Sequence, residues 1–279
     1  MKWLLPFLLL STLSFGQGLP GKLYFTTGQR MNIDSTYTPW RSFSTNPQFG
    51  NKNPLITAQA GDSLACWLVN KDSVAHSFAV EGHAGLWSVN AGDSAWISVA
   101  LPNAGIFQYH DPTTNQGYLG LSGMLVVNPA PHAFYWNLRE YDPTWTDSII
   151  KGNSVNWSQY EPDFFTINGT SAPNINLDTL ARVTGNVGDS IHIYISNVGT
   201  SIHALHFHGY HATVVSSSKY PNHVGWSKDT FPVYPGETLH LLLVPNQPGE
   251  YPVHDHNLVA TSGANVYPFG MFTTLLIAP

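Results

Sequence analysis

A set of repeated motifs divides the sequence into two copies of one unit. Three motifs recur 127 residues later (188 − 61): Gly61-Asp62-Ser63, Asn70 and His76 return as Gly188-Asp189-Ser190, Asn197 and His203. Further along, residues 105–111 match residues 249–255 at a spacing of 144 (249 − 105), so the second copy carries 17 extra residues around positions 218–230. Motifs that return at a fixed spacing indicate a duplicated structural unit. The sequence therefore predicts two domains of the same fold.

Glycine and proline punctuate short runs rich in Val, Ile, Thr and aromatic residues, a pattern typical of strands. Aromatic residues make up 13% and hydrophobic residues 43% of the 279 positions, which is enough apolar material for two cores. We therefore expect an all-β protein with domains at residues 17–130 and 131–279. The boundary is placed in the proline-rich segment 128–132.

The first residues read as a secretory signal peptide, residues 1–16. Lys2 precedes an apolar run over residues 3–10, and Ser14 and Gly16 are the small residues expected before a cleavage site. No cysteine follows to take a lipid, and no later apolar run is long enough to span a membrane. The formal net charge is −6, which leaves no basic stripe for nucleic acid or an anionic membrane. We expect an exported protein, secreted or periplasmic.

Histidines are concentrated in residues 201–211, where four of the eleven positions are histidine. Side chains of a strand alternate between its faces, so His206 and His208 share a face about 7 Å apart. His254 and His256 form a second pair with the same spacing. Imidazoles without thiolates are typical of copper or zinc sites. The sequence thus predicts four converging metal ligands; the alternative is a row of surface histidines on an ordinary strand.

The order of these residues resembles the last cupredoxin domain of the multicopper oxidases. The resemblance rests on the motifs His203-x-x-His206-x-His208-Gly209, His254-x-His256 and Gly270-Met271. It covers nearly the whole mature chain and implies two tandem cupredoxin-like Greek-key β-sandwiches with copper as the cofactor. Two-domain members of this superfamily, the small laccases and copper nitrite reductases, are typically homotrimers. Their catalytic copper lies between domain one of one subunit and domain two of the next, which the resemblance implies here as well.

The chain departs from the family at the type 1 copper, which needs a cysteine thiolate to carry the electron. Asp255 stands at that position in the second domain and Asp111 in the first. We therefore expect no type 1 copper, and we interpret Cys66, in an apolar strand, as a buried inert thiol. His76 and His203 remain from the family's type 1 ligands. For these two, a metal-ligand role and a structural role are equal alternatives.

The resemblance implies that His206, His208, His254 and His256 bind the catalytic copper. The first domain keeps fewer ligands: His110 is present, and His83 or Glu81 are the nearest candidates beside it. A smaller site of one or two coppers between subunits is the expectation, with Asp111 and Glu81 as candidate proton donors. Four other histidines are interpreted as structural or surface residues: His132, His192, His223 and His240. For His211, which is nearer the cluster, a role in supporting a ligand or relaying protons and plain surface exposure are equal alternatives.

Three functions fit these observations. The first is an exported copper oxidoreductase that reacts with a small molecule, such as dioxygen, nitrite or peroxide, directly at the histidine cluster. The second is a periplasmic protein that holds copper without turnover. The third is a descendant that has kept the fold and lost the metal.

Overall fold

A computed structural model describes residues 18–279; the predicted signal peptide lies outside this range. Nine strands belong to the first sandwich: β1 (Lys22–Met31), β2 (Tyr37–Ser44), β3 (Ile56–Ala58), β4 (Ser63–Asn70), β5 (His76–Val80), β6 (Trp87–Val89), β7 (Ser94–Ala100), β8 (Gly105–His110) and β9 (Ser122–Val127). They form two sheets, with the strand orders β2-β1-β4-β7 and β3-β9-β8-β5-β6.

Eleven strands belong to the second sandwich: β10 (Ala133–Tyr141), β11 (Phe164–Ile167), β12 (Thr184–Asn186), β13 (Ile191–Asn197), β14 (His203–Phe207), β15 (Ala212–Ser217), β16 (Ser227–Lys228), β17 (Thr230–Val233), β18 (Thr238–Leu243), β19 (Gly249–Asp255) and β20 (Phe272–Ala278). Their sheets have the orders β11-β10-β13-β18-β15-β16 and β12-β20-β19-β14-β17. The predicted all-β fold of two sandwiches is confirmed.

Helical structure within residues 18–279 is limited to short segments. The helix α1 (Pro143–Ile150) begins at Asp142, whose side chain accepts hydrogen bonds from the backbone of Thr144 and Trp145. Four 3-10 turns complete the set: Trp157–Gln159, Asn174–Leu177, Pro221–His223 and Leu258–Thr261. None of the helices in this range is both long enough and apolar enough to cross a membrane.

Each sandwich has a core of its own, because alternate residues of its strands point inward. In β4, for example, Leu64, Cys66 and Leu68 are fully buried while their neighbours face outward. The first core draws on residues 23–127 and the second on residues 134–277. The boundary expected between residues 130 and 131 falls in the segment between these two sets and stays a prediction.

The repeat in the sequence corresponds to repeated hydrogen bonds. Asn70 ends β4 and donates to the carbonyls of Val74 and Val89 at 2.8 and 3.0 Å. Asn197 ends β13 and donates in the same way to Ser201 and Val233, at 2.8 and 2.9 Å. In both sandwiches this amide fixes the turn that leads into the next strand, which begins with His76 or His203.

The two sandwiches pack directly on each other. Met124 and Val126 of β9 form one buried cluster with Tyr135 of β10 and Tyr194 of β13. Gln108 of β8 adds a polar link, because its amide donates to Ser196 Oγ and to the Asn197 carbonyl. The contact therefore joins the outer face of one sheet in the first sandwich to the outer face of one sheet in the second.

Candidate metal centre

Two neighbouring strands carry the predicted ligands. β14 and β19 pair antiparallel, and His206 lies directly opposite His254 in their register. His208 follows the end of β14, where its backbone N–H donates to the Pro252 carbonyl at 3.0 Å. His256 is held in the same way, because its N–H donates to the Ala204 carbonyl at 2.6 Å. Alternation along both strands puts all four imidazoles on the outer face of the sheet.

The residue after His208 must be glycine. Gly209 has a φ of +77°, and a Cβ there would lie 2.6 Å from Cδ1 of Tyr251. A larger residue would be strained and would also push against this ring. The turn that directs His208 back towards β19 therefore depends on Gly209.

The four imidazoles form one cluster. The ring centre of His206 lies 4.6 Å from that of His208, 5.6 Å from that of His254 and 5.5 Å from that of His256. Nε2 of His208 and Nε2 of His254 approach to 3.0 Å. Three of the rings are half-buried and His256 is exposed. The structure thus brings together the four residues that the sequence singled out.

The other ring nitrogens are held by the protein. Nδ1 of His206 contacts Thr230 Oγ1 at 2.8 Å, and Nδ1 of His254 lies 3.0 Å from the Asp255 carbonyl. Such contacts orient an imidazole and leave Nε2 for a metal. Burial lowers the pKa of His208, and the neighbouring imidazoles lower it further, which favours the neutral form that binds metals.

Sequence reasoning missed Thr230 and Asp229. Thr230 begins β17 and lies directly opposite His206 in the register. Its hydroxyl also donates to Asp229 Oδ1 at 3.0 Å, and this hydrogen bond together with the nearby imidazole of His206 lowers the pKa of that carboxylate. Both residues lie at the end of the 17-residue insertion. The sequence signal that could have identified them is therefore an Asp-Thr pair at the border of the inserted segment.

The donor set fits copper or zinc. Two nitrogens about 2.0 Å from one metal ion lie roughly 3 Å apart, which is the spacing of the His208 and His254 Nε2 atoms. His206 and His256 flank this pair with further imidazoles. Within residues 18–279, however, no three histidine, cysteine or carboxylate side chains already converge on one point. One chain therefore offers two imidazoles at metal-binding distance and two further imidazoles beside them, but not a complete metal site.

The cluster opens onto a depression of about 280 Å³ in the surface. His206, His208, His211 and Asp229 line it together with the backbone of Gly209. His211 is exposed at its wall. A small molecule can reach the imidazoles from solvent without a channel.

The candidate ligands of the first sandwich lie elsewhere in the chain. His110 ends β8 and is half-buried; burial lowers its pKa, and the nearby carboxylates of Glu81 and Asp111 partly offset this. His83 packs edge-on against Phe107, with its Nδ1 3.1 Å from the Glu81 carbonyl. Among the described residues, no hydrogen bond, ion pair or ring contact joins these side chains to the four imidazoles.

His203 and His76 are each held between two carboxylates. His203 contacts Asp255 at 2.6 Å through Nδ1 and Glu140 at 2.9 Å through Nε2. His76 contacts Asp111 at 2.8 Å and Asp72 at 3.0 Å. Both rings are buried, and neither has a free nitrogen for a metal. Of the two alternatives for these residues, the geometry favours the structural role and argues against the ligand role.

The two candidate proton donors, Asp111 and Glu81, differ in exposure. Asp111 is 1% exposed, and its Oδ2 is bonded to His76 while its Oδ1 accepts from the Thr113 backbone. Both oxygens are therefore committed inside the protein, away from the surface where a substrate would arrive. Glu81 remains exposed.

The remaining histidines have ordinary surroundings. His192 and His240 contact each other at 2.8 Å, and burial lowers the pKa of His240 to about 4. His223 stacks on Trp226, with ring centres 3.9 Å apart. Nε2 of His132 lies 2.8 Å from the Thr184 carbonyl.

Residues 150–267 match the family model described as multicopper oxidase. The resemblance to the multicopper oxidases is confirmed. The matched segment contains β14, β19 and all four clustered imidazoles.

Other similar proteins carry related names. Human ceruloplasmin is 28% identical over 158 residues, which is 50% of this chain and 14% of ceruloplasmin; rat ceruloplasmin is 30% identical over 147 residues, 52% and 12% of the two chains. The chain thus spans only about an eighth of these relatives.

Blue copper oxidase from Nitrosomonas europaea superposes with a TM-score of 0.79, at 20% identity, over 94% of this chain and 86% of that one. Copper nitrite reductase from the same organism gives 0.70, at 16% identity, over 94% of both chains. These superpositions show that the chain shares the fold of these two proteins.

Proposed function

We propose that this protein is an exported copper oxidoreductase that acts on a small molecule at the imidazole cluster. The observation that carries the proposal is the pair of Nε2 atoms of His208 and His254, 3.0 Å apart and flanked by two further imidazoles. Dioxygen, nitrite and peroxide are the candidate substrates, because the shallow depression admits molecules of this size.

Copper is the cofactor that the multicopper oxidase match supports, and neutral imidazoles suit it. Bound copper would supply one-electron redox chemistry. His208 and His254 would hold it, and His206 and His256 would complete or extend the site. Thr230 keeps Nε2 of His206 turned towards the cluster, and Asp229 and His211 offer a carboxylate and an imidazole on the wall where protons enter.

The absence of a thiolate relay limits the electron donor. Asp255 and Asp111 fill the positions of the relay cysteine, and each is bonded to a buried histidine. A bulky donor docked at a distance then has no type 1 copper through which to pass electrons. We infer that both electrons and substrate reach the cluster through its open face.

The site would be completed by a neighbouring subunit in a homotrimer, which the resemblance implies. Exposed apolar side chains beside the cluster support this. Leu258 and Val259, directly after His256 and Asn257, are 66% and 63% exposed, and Tyr267 is 65% exposed. An apolar surface of this kind is typical of an interface. His110 of the neighbouring subunit, with its His83 or Glu81, would add the missing ligands.

Copper content and turnover test the proposal. Protein purified with copper is assayed by elemental analysis, reduced without oxygen and then mixed with dioxygen, nitrite or peroxide. Repeated reoxidation by one of the three, lost together with copper in a His208→Ala, His256→Ala double variant, is the expected result. Copper that stays reduced with all three would overturn the proposal.

A protein that holds copper without turnover is the second candidate. It is favoured by the isolation of His110 from the four imidazoles, which leaves an incomplete set of ligands in each chain. Stable copper with no reoxidation identifies this function. Protein that binds no copper would instead be a descendant that kept only the fold.

A further inference from the structure

A second polar site lies between the two sandwiches and shares no lining residue with the depression at the imidazole cluster. It is a cavity of about 210 Å³, which is large enough for a small organic molecule. Its walls combine charged groups with the apolar side chains of Leu55, Met124 and Leu180. The cavity can therefore hold an organic molecule with a charged end.

Two buried arginines line this cavity from opposite sandwiches. Arg30 of β1 is 3% exposed and donates to the Gly169 carbonyl at 2.9 Å, whereas Arg139 of β10 is 4% exposed and donates to the Ser122 carbonyl at 3.1 Å. Each arginine thus reaches across to the other sandwich. Neither forms an ion pair with any carboxylate in residues 18–279.

Arg30 has hydrogen-bonding capacity left over. Its Nε and Nη1 groups are buried and have no protein acceptor. The rings of Trp40 and Tyr141 lie 5.1 and 4.6 Å from its Cζ, so they stabilise the charge without accepting these hydrogens. A buried cationic donor without an acceptor is costly, and a bound oxygen anion would remove the cost.

The charge of the lining favours an anion as the occupant. Arg30, Arg139 and Lys52 face one carboxylate, Asp178, which Lys52 already contacts at 2.8 Å. The lining therefore has a formal charge of +2 in a protein whose net charge is −6. Lys52 is half-exposed and stands at the solvent side, where it can attract an anion.

The cavity also offers one unpaired acceptor. Oδ1 of Asn137 is buried and has no donor in the protein. A carboxylate alone cannot satisfy it, because it carries no hydrogen to donate. A hydroxyl group on the same ligand can.

We propose that this cavity binds a small hydroxycarboxylate, with its carboxylate on Arg30 and its hydroxyl on Asn137. The ligand would contact both sandwiches and so hold them together. Apolar carbon atoms of the ligand would lie on Leu55, Met124 and Leu180.

Titration calorimetry with L-malate, succinate, phosphate and chloride on the copper-loaded full chain tests the proposal. Malate is expected to bind several-fold more tightly than succinate, which lacks the hydroxyl, and to raise the unfolding temperature. Phosphate is expected to bind more weakly than malate, and chloride not measurably. Binding of phosphate alone, or equal binding of malate and succinate, would overturn the ligand class.

Variants separate this site from copper and from general charge effects. Arg30→Gln should weaken malate binding at least tenfold, and it leaves no carboxylate unpaired because Arg30 forms no ion pair within residues 18–279. Lys52→Gln, at the exposed rim, should weaken malate several-fold and keeps the test valid if Arg30→Gln does not fold. Arg182→Gln, which alters a half-exposed arginine paired with Glu250, should change nothing. Malate binding that survives Arg30→Gln, or a crystal grown with malate that shows only water in the cavity, would refute the site.

Discussion

Asp72 and Gly199 occupy the same position of the two repeats, 127 residues apart (199 − 72), and only Asp72 carries a carboxylate. Asp72 contacts Nε2 of His76 at 3.0 Å. Opposite Nε2 of His203 the carboxylate comes from Glu140 of β10 at 2.9 Å, in space that Gly199 leaves open. A Cβ on Gly199 would lie 2.0 Å from Glu140 Oε2. The two sandwiches thus keep the same buried arrangement with one carboxylate from a different segment, the turn between β4 and β5 in the first sandwich and β10 in the second.

Gly199→Ala should destabilise the second sandwich. Glu140 cannot move aside freely, because it is fully buried and bonded to His203 and to the backbone of Thr200 and Ser201. Breaking a buried ion pair costs about 3–5 kcal/mol, and we expect a loss of about 3 kcal/mol in urea unfolding. Gly21→Ala, where a Cβ meets nothing within 4 Å, is the matched control and should stay within about 0.5 kcal/mol of wild type.

A double variant, Gly199→Asp with Glu140→Ala, would rebuild the arrangement of the first repeat around His203. It should be more stable than Gly199→Ala. Wild-type stability in Gly199→Ala would show that Glu140 is not held as described.

Stability should fall at alkaline pH. Burial lowers the pKa of His203, but hydrogen bonds to Asp255 and Glu140 outweigh it and raise the pKa to about 9. A histidine with a raised pKa contributes fully below its unfolded pKa of about 6.5 and loses that contribution as the pH rises through 9. The free energy of unfolding of metal-free protein should drop by on the order of 3 kcal/mol between pH 6.5 and 9. His76, whose pKa is also raised by its two carboxylates despite burial, acts in the same direction.

At acid pH the dependence has the opposite sign, and the free energy of unfolding should fall as the pH falls. Burial raises the pKa of Glu140, but the hydrogen bond to His203, the charge of His203 and the hydrogen bonds from Thr200 together outweigh burial, and the pKa falls to about 2. That contribution is present above the unfolded pKa of about 4.3 and is lost as the pH falls towards 2. Urea titrations between pH 3 and 10 on protein treated with a chelator measure the loss of stability at both acid and alkaline pH. A free energy of unfolding that is constant from pH 6.5 to 9 would contradict the charged state of His203.

His208→Ala combined with His256→Ala should remove copper and leave the fold intact. The variant removes the imidazole of His208 and so the pair of Nε2 atoms. The core of the second sandwich lies on the other face of the sheet and does not include these rings. We expect the bound copper to fall sharply and the circular dichroism spectrum to stay unchanged. His223→Ala, outside the cluster, is the control.

The colour of the copper-loaded protein checks the same assignment. Cys66 is fully buried in the first core, where burial raises the pKa of its thiol to about 12. Cys66→Ser should therefore change neither copper content nor colour. A blue holoprotein, or one that Cys66→Ser bleaches, would place the copper elsewhere.

Thr230→Val tests whether the orientation of His206 matters. Valine keeps the shape of threonine but has no hydroxyl to bond Nδ1 of His206, so the imidazole ring can then rotate. Loss of such a partner lowers metal affinity about 10- to 100-fold. Thr213→Val, at a half-buried position of β15, should leave copper affinity unchanged. Equal affinities in the two variants would show that Thr230 does not orient the ligand.

The sequence predicted those features that depend on spacing and alternation. Repeats at a constant offset specify two similar sandwiches, and the i, i+2 histidine pairs specify one face, because a strand has a period of two. Contacts between distant segments could not be read in this way. Glu140 lies 63 residues before His203, and nothing local marks it as the partner. Thr230 likewise meets His206 only through the pairing of β14 with β17.

Leu258→Glu with Val259→Glu should dissociate the homotrimer that we propose. Both side chains are more than 60% exposed in one chain and follow His256, so a neighbouring subunit that completes the cluster would cover them. Two carboxylates buried in such an interface would be unpaired and strongly unfavourable. Sedimentation should then give a folded monomer that binds copper more weakly, because His110 of the neighbour is no longer available. Leu177→Glu, at a leucine that is 80% exposed on another turn, should leave a trimer. A wild-type protein that sediments as a monomer with copper bound would show that one chain closes the site by itself.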